Sequence, residues 1–101
     1  MGKVAFVTGA REEFLAEVEY YNKAQAGLGA RFADAIEKAA ALALVFPDVG
    51  SPFYSGTRRV VVKNFPFSLV YKAFSDDIII FAIAHQSRRP GYWRTRVSNT
   101  S

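Results

Sequence analysis

Cysteine is absent from the 101-residue chain, which excludes both a disulfide framework and a thiolate metal site. A single histidine and nine scattered acids leave little from which to build a zinc cluster. No apolar run approaches the roughly 18 residues that a bilayer span requires. The opening Met1-Gly2-Lys3-Val4-Ala5-Phe6-Val7 is too short an apolar stretch for a signal peptide, so a cytoplasmic, non-membrane protein is expected. Nothing in the sequence suggests a cofactor. Acids are also scarce in the C-terminal part. Residues 58–101 carry Arg58, Arg59, Lys63, Lys72, Arg88, Arg89, Arg94 and Arg96 against only Asp76 and Asp77, a net of +6, whereas residues 1–57 sum to −2. That asymmetry points to a polyanionic partner, either nucleic acid or an acidic protein segment, with a merely solubilising surface as the plain alternative.

Half of the residues are hydrophobic and 15% are aromatic, ample for a packed interior and too much for a disordered chain. The length suits one domain over residues 1–101. A short β-like run, Lys3 to Thr8, is followed by a helix from Ala10 to about Gln25, in which Phe14, Val18 and Tyr21 form a stripe widened by Leu15. Thr8 or Gly9 is placed to cap it, and Glu12 and Glu13 suit the positive end of its dipole. A second helix is expected from about Leu28 to Phe46, with Leu28, Phe32, Ala35, Ile36, Ala39, Leu42 and Phe46 on one face, closed by Pro47. The short glycine-bearing turn between them predicts an antiparallel helix hairpin.

Residues 48–57 read as a loop, rich in glycine, proline and serine. Three strands follow, Arg58–Phe65, Phe67–Phe74 and Ile78–His85, with tight turns marked by Pro66 and by Asp76-Asp77. The last strand is apolar on both faces and is expected to be central. After Pro90 there is room for one helical turn. The predicted order is βααβββ plus a short C-terminal turn. In this α+β fold the N-terminal strand joins a twisted, mainly antiparallel sheet, and the helix hairpin packs on one face.

Five stretches carry a resemblance. They are Glu19-Tyr20-Tyr21, Leu28-Gly29-Ala30-Arg31-Phe32, Phe46-Pro47, the strand pair Arg59-Val60-Val61-Val62 and Asn64-Phe65-Pro66-Phe67-Ser68-Leu69-Val70-Tyr71, and the ending Ile83-Ala84-His85-Gln86-Ser87-Arg88-Arg89-Pro90-Gly91-Tyr92-Trp93. In this order, across residues 10–96, they resemble the RelE/ParE superfamily, the toxins of type II toxin–antitoxin (plasmid stabilisation) modules. The resemblance implies growth inhibition and a cognate antitoxin whose C-terminal segment folds on binding, giving a hetero-oligomer. It also implies one of two targets: DNA gyrase in the ParE branch, ribosome-bound messenger RNA in the RelE branch. An inactive relic or a plain nucleic-acid-binding module is a further alternative.

Period-two alternation puts Arg59, Val61 and Lys63 on one face of a strand, which Lys72 can join from the next strand and Arg88 and Arg89 from the chain beyond. These are the candidate binding residues for phosphates or an acidic segment, and Tyr92 and Trp93 are candidates for stacking on bases. An antitoxin peptide is expected over the helix hairpin and around Arg59, Arg88 and Arg89. If the chain is a metal-independent RNase, the resemblance implies Arg88, His85 and Tyr92 as its catalytic groups. Against that, Val61 and Ser68 stand where the nuclease branch would have a lysine and an arginine. His85 at a strand end also fits a structural hydrogen bond, and Tyr92-Trp93 fits an aromatic plug that fastens the tail.

Overall fold

The computed structural model describes residues 2–99. Its elements are β1 (Val4–Phe6), α1 (Thr8–Ala24), α2 (Leu28–Val45), β2 (Ser51–Pro52), a 3-10 turn (Tyr54–Gly56), β3 (Arg58–Val61), β4 (Phe67–Phe74), β5 (Asp77–His85) and α3 (Arg94–Ser98). The five strands lie in the order β1-β5-β4-β3-β2. β1 runs parallel to β5, and the other pairs are antiparallel. The expected α+β arrangement is therefore present, with β5 inside the sheet. The sequence expectation lacked β2, whose two residues pair with Arg59 and Arg58.

The helix hairpin covers one face. Phe14, Val18 and Tyr21 of α1 and Phe32, Ile36, Ala39, Ala40 and Ala43 of α2 pack on Phe67, Leu69, Tyr71, Ile78, Ile80 and Ile83. Gly29 lets the helices meet, since a methyl group there would lie 2.5 Å from the Val18 carbonyl. Two stripe residues of α2 differ from expectation. Leu42 and Phe46 are exposed, because the buried stripe turns through Ala40 and Ala43 instead. Leu15 is also exposed. Helix α1 begins at Thr8 itself, with Val7 at the cap and no side-chain cap bond. Neither Thr8 nor Gly9 caps it, and Glu13 has a different role, described below.

β3 ends at Val61, not Phe65. Val62 turns into the helix-side core and Asn64 takes a left-handed φ of 70°, which closes the hairpin ahead of Pro66. The next hairpin pivots on Ser75, at φ 55°, so Asp77 already belongs to β5.

The opposite face of the sheet has its own core. In β5 the register to β4 jumps from Val70↔Ala82 to Tyr71↔Ile80, which leaves Phe81 as an extra residue. This bulge puts Phe81 and Ala82 on the same side. There they pack with Val70, Trp93 and Val97, so the tail after β5 folds back over the sheet.

Candidate functional site

Register partners share a face of the sheet, so the far face can be read off the pairing. It carries Arg59 and Val61 from β3, Ser68, Val70 and Lys72 from β4, and Ile79, Ala82 and Ala84 from β5. The returning tail and the 3-10 turn wall in part of it. A basin of about 110 Å³ remains, lined by Arg59, Ser68, His85, Arg88, Arg89 and Tyr92 above a floor that includes Trp93.

The basin gathers most of the residues singled out from the sequence, but not all. Lys63 does not share a face with Arg59. It sits in the hairpin turn and lines a different surface, beside α2. Lys72 is on the far face outside the basin, near Gly56 of the 3-10 turn. Trp93, a candidate for base stacking, is 1% exposed and closes the far-face core. The plug alternative describes it.

His85 ends β5 with its ring edge-on to Phe67, 5.0 Å between centroids. Its Nδ1 accepts the Ser87 backbone N–H at 3.0 Å and lies 2.7 Å from the Ser87 hydroxyl, which holds the turn into the tail. The structural hydrogen bond is thus formed, even though the ring reaches the basin wall.

Tyr92 is tied down as well. Its hydroxyl donates to Glu13 Oε2 at 2.5 Å, and the same carboxylate takes both Arg96 nitrogens, at 3.0 and 3.2 Å. Burial, then the bond to Glu13, pushes the Tyr92 phenol well above the ordinary tyrosine range, against a smaller pull from Arg96 and Arg88. With its proton already donated to Glu13, the phenol is poorly placed to give that proton to a leaving group.

Glu13 and Arg96 are the residues that sequence reasoning missed. β1 pairs only with Ile78 to Ile80, so the rest of that edge of β5 needs other partners. Glu13 Oε1 accepts the Ile83 N–H at 3.1 Å, and Arg96 Nη1 donates to the Phe81 carbonyl at 2.9 Å. The pair completes the strand edge and clamps α1, β5 and the tail together. Gly9 opens the way, since a methyl group there would lie 2.7 Å from the Arg96 guanidinium.

Three other arginines rest on rings. Arg59 lies over Phe53 at 4.7 Å, Arg88 over Tyr92 at 4.0 Å and Arg94 over Tyr54 at 4.9 Å. Each ring fixes a guanidinium plane without neutralising it.

A second surface lies on the helix side. A groove of about 630 Å³ runs between α2 and the β3–β4 hairpin, lined by Leu28, Ala35, Leu42, Val60 and Phe65, with Arg31, Lys38 and Lys63 among its charged residues. Val45 and Phe46, at and just after the end of α2, are exposed as well. β2 covers only Arg58 and Arg59, so Val60 and Val61 have no strand beside them there.

In comparisons with known proteins, no curated protein matches the chain in sequence. The structure is similar to that of a chain from the chromosomal ParDE TA system from P. aeruginosa, with a TM-score of 0.61 and 18% identity. That match covers 84% of this chain and 96% of the other. The family profile described as ParE toxin of type II toxin-antitoxin system, parDE, matches residues 4–90, so the chain belongs to that family of toxins.

Proposed function

We propose that this chain is a ParE-like inhibitor of DNA gyrase with no nuclease chemistry of its own, held neutral in the cytoplasm by a cognate antitoxin in a hetero-oligomer. One observation carries the non-nuclease reading. Val61 and Ser68, the two positions where the nuclease branch would have a lysine and an arginine, are register partners on the far face. An RNase of that kind needs cations there to stabilise the charged phosphate. Here one side chain is apolar and the other is a hydroxyl 8% exposed. The commitment of Tyr92 to Glu13 removes a further candidate acid.

The antitoxin is best accommodated in the groove beside α2. A segment that folds on binding must bury apolar surface to offset its ordering, and the groove offers that surface with Arg31 and Lys63 beside the paired Lys38 and Asp34, a net positive lining that suits acidic side chains. Val70, Phe81 and Ala82, the apolar centre of the far face, are already covered by Trp93 and Val97. This supports the helix-hairpin part of the antitoxin placement more than the part around Arg88 and Arg89.

The test is induction of the chain alone in a bacterial host, following growth, message integrity and gyrase-linked DNA cleavage together. Arrest with intact messages and trapped gyrase is expected. Cut messages would overturn the reading and return Arg59, Arg88 and His85, which share one basin, to an RNase role.

A further inference from the structure

We propose that the far face of the sheet binds the phosphodiester backbone of a nucleic-acid duplex, independently of sequence. Arg59, Arg88 and Arg89 line the basin, while Arg94 and Lys72 flank it. None of the five is in an ion pair among the described residues, whereas Arg58 is paired with Asp48 and Arg96 with Glu13. No carboxylate lines the basin among the described residues. A merely solubilising surface would intersperse acids with such a set of cations. The helices do so: Lys23 pairs with Glu19 and Lys38 with Asp34.

The aromatic rings decide which form of nucleic acid fits. Single-strand binders leave rings open for bases to stack on. Here Phe53, Tyr54 and Tyr92 each carry a guanidinium, and Trp93 is buried. The basin is small, about 110 Å³, and its lining includes Arg59, Arg88 and Arg89 with no carboxylate among the described residues. What remains is a group of cations, three of them guanidiniums held against rings, which match phosphate oxygens and carry no base preference.

The site requires neither gyrase nor an antitoxin, so its test is separate from theirs. Binding of the purified full chain to a labelled 20-base-pair DNA duplex is followed by fluorescence anisotropy from about 50 to 300 mM salt. Log K is expected to fall against log salt with a slope between about −3 and −4.5, since each neutralised phosphate contributes about −0.9. The double variant Arg59→Gln/Arg88→Gln should shallow the slope by about two and weaken binding at least tenfold near 0.1 M salt. Arg59→Lys/Arg88→Lys should keep the slope, which separates lost charge from misfolding. Lys23→Gln/Lys38→Gln should change neither slope nor affinity.

A duplex RNA of the same length shows which backbone is preferred, and binding of either duplex with this dependence supports the site. Absence of duplex binding at 50 mM salt overturns the proposal. So does an equal loss in the Lys23/Lys38 variant, or an acidic peptide that binds through the same arginines while both duplexes do not.

Discussion

One carboxylate holds together what three separate elements leave unfinished. Glu13 accepts from the Ile83 main chain, the Tyr92 hydroxyl and the Arg96 guanidinium, and its side chain is only 18% exposed. Removing it takes the carboxylate from a largely buried guanidinium that still donates to Phe81, and the acceptor from two further donors, which is costlier than losing one neutral hydrogen bond. Glu13→Ala should therefore lower unfolding stability by about 2–3 kcal/mol in a denaturant titration. A loss below about 0.5 kcal/mol, typical of an exposed pair, would show that the clamp is weak. Tyr92 adds a pH signature to the same site. Its folded phenol binds its proton more tightly than the unfolded one does, so between the two pKa values the native state holds more protons. The sign follows: this contribution is fully present below the ordinary tyrosine value near 10, and is lost as pH rises above it. Wild-type stability should fall more steeply than that of Tyr92→Phe between about pH 9.5 and 11. Parallel curves would place the phenol in a solvated setting instead.

At the scale of elements, the glycine of the Leu28-Gly29-Ala30-Arg31-Phe32 turn has a definite physical task. It brings the start of α2 against α1, and its own N–H meets the Asn22 side chain at 3.3 Å. Gly29→Ala would gain helix propensity, worth up to about 1 kcal/mol, but it pushes a methyl group to 2.5 Å from a backbone oxygen that cannot yield. Overpacking should prevail, with a net loss of about 1–2 kcal/mol and a lower Tm. A gain in Tm would mean that the helices can slide apart freely. The helices and long strands were legible because their apolar periodicity is strong. The details that shape the site were not. β2 has two residues and no period to read, and the bulge at Phe81 lies within an unbroken apolar run, Ile78 to Ala84, where nothing local marks the skipped partner. Arg59, Arg88 and Arg89 were found by charge, and their shared basin follows from the strand order. Lys63 was misplaced by continuing an alternation past the strand's end. The link from Glu13 to Arg96 spans 83 positions and left only one local hint, a glycine at position 9 in a helix's first turn.

At the scale of the whole molecule, the −2 and +6 halves of the sequence become two unlike surfaces. The helix side carries the acids and most of the exposed apolar residues. The far side of the sheet is basic and has its apolar centre covered by the tail, with Val61 left exposed at its edge. Partners that need apolar burial and partners that need only charge are thereby directed to opposite sides. If the antitoxin occupies the groove beside α2, a charge placed on the groove wall should separate neutralisation from toxicity. Leu42 suits this purpose because it lines the groove and is 42% exposed, so replacing it costs the fold little. Burying a carboxylate against an apolar antitoxin segment costs far more than exposing it in the free toxin. Leu42→Glu should stay as toxic as wild type when expressed alone, yet resist rescue by the cognate antitoxin, with affinity reduced at least tenfold. Equal rescue of both proteins would rule out the groove. Loss of toxicity in the variant alone would instead assign the groove to the target, and would imply that antitoxin and target compete for the same wall of α2.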